Sequence, residues 1–190
     1  MTNFVTIIGS VTPPGRLSMA LSGASERAVA RGHTSTILDL GKLTLGFADG
    51  RPIEKLTDDT ASLVATVSAA GAIILGTPVY RATLTGALKN ALDLLPVEAL
   101  QGKPVGVVAM GATAHHFLGA ESHLRDILSW FGALTAPTAV YLASSDFIDG
   151  VISESAAANL DALVNTLSVL AAIEGRAELG PAPLAANARR

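Results

Sequence analysis

A chain of 190 residues suits one domain with a short tail, and 49% hydrophobic content is enough to cover both faces of a sheet. The net charge of -3, the pI near 5.7 and the absence of a Lys/Arg cluster argue against a nucleic-acid binder. The lack of cysteine excludes disulfides, thiolate metal sites and cysteine nucleophiles. The N-terminus, MTNFVTIIGS, has no basic leader, and no apolar run is long enough to cross a bilayer, so a cytoplasmic protein is expected.

FVTIIG (residues 4–9) is a short apolar run rich in β-branched residues and reads as a buried strand. After the loop VTPPGR, Leu17, Leu21, Ala24 and Ala28 fall at helical spacing over residues 17–31, and Gly32 is a helix stop. TSTILDL (34–40) is a second strand. Residues 41–56 form a Gly-containing excursion. The Thr57-Asp58-Asp59 cluster predicts a cap for a helix reaching Ala70. GAIILG (71–76) is the third strand. A helix over 84–95 carries Leu84, Leu88, Leu92 and Leu95 on one stripe and ends at Pro96. KPVGVVAMG (103–111) is the fourth strand, 117–131 a helix, and LTAPTAVYL (134–142) a fifth strand whose Pro137 suits an edge. A last helix covers 152–174. Residues 1–175 make the expected domain, and 176–190 an Ala/Pro-rich tail.

Strands that are continuous apolar runs, alternating with helices, predict an α/β fold with a parallel sheet covered on both faces. Five such units suit the flavodoxin-like strand order 2-1-3-4-5. That order brings the loops beginning at Gly9, Gly76 and Gly111 to one rim, where ligands of this architecture bind.

The first loop, GSVTPPGRLS (9–18), matches neither G-x-G-x-x-G nor the Walker pattern. It offers hydroxyls at Ser10, Thr12 and Ser18, a cation at Arg16 and the first amides of a helix, a set that suits a terminal phosphate. Plain helix capping is an equal reading of this loop alone. In the second loop, TPVY (77–80), Pro78 locks the backbone, the amides from Val79 to Arg81 can face a ligand, and Tyr80 stands beside them. A rigid turn is the alternative. Gly111-Ala112-Thr113 leaves room for a planar group near the backbone. His115 and His116 open the next helix without ligand spacing to other metal-binding side chains; His116 is a candidate ligand contact or a polar helix-start residue. Asp39 ends strand two and reads as structural without the glycine fingerprint. No G-x-S-x-G elbow supports a hydrolase triad.

Together, GS-x-x-x-x-x-R-x-S (9–18), TPVYRATLTGALKNALDLLP (77–96), ALQGK (99–103) and GATAHH (111–116) resemble the NAD(P)H-dependent FMN reductase family, in particular the type partnered with alkanesulfonate monooxygenase. The similarity runs from about residue 4 to 145, and the middle block is its specific part. It implies a flavodoxin-like fold, FMN as cofactor and NADPH or NADH as reductant. It implies a phosphate over Ser10, Arg16 and Ser18, and an isoalloxazine near Pro78, Val79, Tyr80 and Gly111; Thr12, Leu17, Thr77, Ala112 and His116 complete the candidate cofactor-binding set. It further implies a homodimer or homotetramer packed through the helix after TPVY, and a flavin-dependent monooxygenase as recipient. No catalytic side chain is expected, because the cofactors carry hydride transfer. Two positions depart from the family pattern: Leu84 stands where flavin-releasing members often carry tyrosine, and Thr12 where some members carry arginine. The alternatives are an FMN-retaining quinone or azo reductase and a non-enzymatic flavodoxin-type electron carrier.

Overall fold

The computed structural model describes residues 1–113 and 117–181. Its apolar runs form β1 (Asn3–Ile8), β2 (Thr34–Asp39), β3 (Ala72–Pro78) and β4 (Pro104–Met110). The fifth position is filled by two short strands, β5 (Leu134–Thr135) and β6 (Val140–Leu142). The order is β2-β1-β3-β4-β5, with β6 also on β4, and every pair is parallel. This is the expected doubly wound topology.

Alternation along the strands divides the core into two layers. Val5, Ile7, Ile73 and Leu75 pack with helices α2 (Thr60–Ser68), α3 (Gly86–Asp93) and α4 (Phe117–Phe131). Phe4, Ile8, Ile74 and Val108 pack with α1 (Arg16–Ala30) and α5 (Glu154–Ala171) on the other face. Burial on both faces explains why the strands read as unbroken apolar runs. The Leu84/Leu88/Ala91/Leu92/Leu95 stripe belongs to the first layer and is buried. It packs within the core of the chain.

Local chemistry sets the boundaries. Gly32, at φ 81°, closes α1, with its amide on Val29 O and the His33 amide on Ala28 O. Thr85 caps α3 by accepting from Leu88 N at 3.1 Å, so this helix starts two residues later than expected. Asp59 stands at the N-cap of α2 without a side-chain cap bond, and the Asp58-Asp59 pair has a second use. Asp58 accepts from Thr60 N and Gly46 N, and Asp59 from Thr44 N, so both pin the 41–56 excursion. Lys103 reaches the far end of α2 and donates to Val67 O and Ser68 O.

The fifth strand breaks at Pro137, which has no amide to give the ladder. Arg125 of α4 donates to the carbonyls of Ala136 and Pro137 across the break. Where the last helix was expected to begin, the chain instead makes an antiparallel hairpin, β7 (Phe147–Ile148) and β8 (Val151–Ile152). Its turn, Asp149-Gly150, has φ of 49° and 80°, the two-residue geometry that matches strand twist. Ser153 then caps α5 through Ala156 N. Among the described residues, no helix is long and apolar enough to cross a membrane.

Candidate functional site

The site is built where β1 and β3 part company. Gly9 N donates to Gly76 O at 2.7 Å, and a Cβ on Gly9 would fall 2.5 Å from that oxygen and 2.9 Å from Leu88 Cβ. No larger residue fits there. The chain then turns through Ser10, whose hydroxyl lies 2.7 Å from that of Thr12 and accepts from Thr12 N at 3.3 Å. Helix α1 begins at Arg16 with Gly15 at its N-cap and no capping side chain. The first bond of its opening turn is Met19 N to Gly15 O, so the amides of Arg16, Leu17 and Ser18 precede the ladder. Arg16 sits 5.9 Å from the centroid of the buried Phe147 ring, a cation–π contact that steadies the guanidinium. Among the described residues it makes no ion pair.

These groups line one cleft of about 230 Å³, together with Ile8, Asp39, Pro78 and Met110. Of the residues predicted to bind, the structure thus gathers Ser10, Thr12, Arg16, Leu17, Ser18 and Pro78. The second loop is different. Val79 N donates to Met110 O and Tyr80 N to Thr83 O, so neither amide is available to a ligand. Strand pairing continues two residues further than the sequence suggests, with Thr77 opposite Ala109 and Pro78 opposite Met110. Thr77 is wholly buried; its hydroxyl donates to Pro78 O and accepts from Thr85 N. Tyr80 is half exposed and starts a two-residue turn, with Arg81 and Ala82 both at positive φ. Helix α4 backs that turn: Gly119 lies against the Ala82 carbonyl, and His123 Nδ1 is 2.7 Å from the Thr83 hydroxyl.

The third loop also departs from expectation. Gly111 N donates to Leu142 O, and the space a Cβ would take at Gly111 holds the Tyr141 hydroxyl. That hydroxyl donates to Thr113 O at 2.6 Å. Gly111 is thus small to admit a tyrosine of β6. Burial holds the Tyr141 phenol above the usual tyrosine range. Gly111 and Ala112 lie at the end of β4, outside the cleft lining, and His115 and His116 lie outside the described residues.

The sequence of residues 2–147 matches the NADPH-dependent FMN reductase family. The chain belongs to that family. An "NAD(P)H-dependent FAD/FMN reductase" of Geobacillus thermodenitrificans is 40% identical over 111 residues, 58% of this chain and 60% of that protein. The chain thus spans about three fifths of that relative's length. The "NADH-dependent FMN reductase SfnF" of Pseudomonas putida is 30% identical over 148 residues, 75% of this chain and 78% of the relative. Among solved structures, an apo NADH:FMN oxidoreductase (EMOB) superposes with a TM-score of 0.77 at 22% identity, covering 96% of this chain and 92% of that one. That likeness supports the flavodoxin-like fold.

The donors of this family member fit a phosphate monoester: two hydroxyls, a guanidinium and an uncapped helix turn converge on one cleft. Several residues that shape the site carried no local signal. Phe147 meets Arg16 from 131 positions away in a hairpin that the sequence reading did not contain. Thr85 donates to Gly9 O at 2.6 Å and so ties the second loop to the first. The Asp-Gly pair at 149–150, flanked by apolar residues, is the signal that reveals the hairpin.

Proposed function

We propose that this chain is an NAD(P)H-dependent FMN reductase that passes reduced flavin to a partner monooxygenase. One observation carries the reading: the hydroxyls of Ser10 and Thr12, the Arg16 guanidinium and the first turn of α1 all face a single cleft at the topological switch point. In this reading the cleft holds the FMN phosphate, and Pro78 and Met110 border the entry to the ring. Tyr80, Gly111 and Ala112 belong to the outer rim. When bound, FMN supplies the hydride acceptor and the nicotinamide the donor. The chain's own residues hold and orient. Arg16 and the α1 amides neutralise the phosphate, and Gly9 lets the backbone pass close beneath it.

The names of the relatives support flavin and nicotinamide as substrates. A cytoplasmic homodimer or homotetramer, with a flavodoxin-like domain of residues 1–175 and an Ala/Pro-rich tail of 176–190, completes the reading. Steady-state oxidation of NADH and of NADPH, each with and without FMN, tests it. No FMN-dependent turnover with either nicotinamide defeats it. Retention of yellow colour after dialysis assigns the chain to FMN-retaining reductases instead.

A further inference from the structure

Asp39 ends β2 directly opposite Ile8 in the parallel ladder, one residue before the loop that starts at Gly9. Asp39 lines the same cleft as Ser10, Thr12, Arg16 and Ser18. Its structural duty is small: Oδ1 accepts from Gly41 N at 3.0 Å, closing a short turn. An uncharged amide oxygen would do that equally well. The charge is therefore surplus to the fold. Its nearest cation, Lys42 Nζ, lies 3.6 Å from Oδ2, but the Lys42 side chain is 74% exposed while that of Asp39 is only 15% exposed. An ion pair with one partner in water does little to quench the sheltered charge. The cleft thus presents one cation, Arg16, and one anion, Asp39, to a phosphate monoester that carries between about one and two negative charges.

We propose that Asp39 is an anion-repelling wall of the phosphate cleft, which keeps FMN affinity low and so makes the flavin a substrate that leaves. The proposal deepens the FMN reductase reading and rests on it. Attraction from Arg16 and the α1 amides selects the phosphate. Repulsion from Asp39 limits how long it stays. This places the release determinant at the phosphate end of the flavin, away from Leu84.

The test is a titration of wild type, Asp39→Asn and Asp39→Ser with FMN and with riboflavin, which lacks the phosphate, followed by flavin fluorescence at low and high salt. Both variants keep an acceptor for Gly41 N, and thermal unfolding confirms that each is folded. The expected result is about tenfold tighter FMN binding in both variants, with riboflavin changed by less than about twofold. The gain in FMN affinity shrinks as salt screens the charges. Unchanged or weaker FMN binding in folded variants overturns the proposal, as does an equal gain for riboflavin. Failure of folded wild-type protein to bind FMN at all overturns the FMN reading itself, and the proposal with it.

Discussion

Replacing Thr85 with valine removes one hydroxyl from a buried joint between two of the loops at the site. Thr85 is 5% exposed. Its Oγ1 donates to Gly9 O at 2.6 Å and accepts from Leu88 N at 3.1 Å, the N-cap bond of α3. Valine has nearly the same shape, so no cavity opens and the cost is polar. Loss of the cap costs about 1 kcal/mol. Leaving the Gly9 carbonyl without this donor in a dry setting costs about 1–3 kcal/mol more. The total is roughly 2–4 kcal/mol, which lowers the melting temperature by about 5–15 °C in a chain of this size. Urea unfolding gives the number, with an unchanged slope expected because the surface exposed on unfolding is the same. Thr85→Ser keeps the hydroxyl and should lose less than about half as much. A valine variant within about 0.5 kcal/mol of wild type, or a serine variant as weak as valine, refutes the reasoning.

Further outcomes follow from other contacts. Arg31 donates to Asp161 at 2.6 Å and ties α1 to α5; that hydrogen bond holds the Asp161 carboxyl below 3.8, the value of a free aspartate side chain. A depressed carboxyl contributes stability above its unfolded value and loses it as pH falls. Urea midpoints between about pH 2 and 6 should therefore fall more steeply for wild type than for Asp161→Asn. The partly buried Tyr141 phenol should ionise above 10.0, so an ultraviolet titration should show a late step that Tyr141→Phe abolishes. Lys103→Met leaves the Val67 and Ser68 carbonyls without their donor and should cost about 1–2 kcal/mol by urea unfolding. Leu84→Tyr forces a larger, polar-tipped side chain into the α2–α3–α4 core layer and should cost about 1–3 kcal/mol, again by urea unfolding.

The topology was legible because buried strands leave a signature that survives without partners: FVTIIG, GAIILG and KPVGVVAMG are apolar at consecutive positions, as two covered faces require. The lining of the cleft was legible for a similar reason, since Ser10, Thr12, Arg16 and Ser18 lie within one loop. What the sequence hid depends on pairing between distant segments. The amides of Val79 and Tyr80 look available after a proline, yet Met110 and Thr83 take them. Gly111 looks like space for a ring, yet Tyr141, thirty positions on, occupies the space beside it. The leucines around 84–95 show helical spacing, but spacing alone does not say which neighbour they meet. Pro137 foretold the edge that the fifth position occupies, and it also cuts that strand in two.

The Tyr80–Thr83 turn carries one further consequence. Arg81 and Ala82 sit at φ of 50° and 63°, positions where Asn-Gly is the preferred pair. Side chains there cost about 1 kcal/mol each, so the turn works as a loaded spring that α4 holds shut through Gly119 and His123. An Asn-Gly turn would let the spring relax and leave the fold more stable. The existing sequence instead keeps a long basic side chain, Arg81, exposed on the turn, and the stability gained on relaxing the turn measures how much the protein forgoes to hold it there.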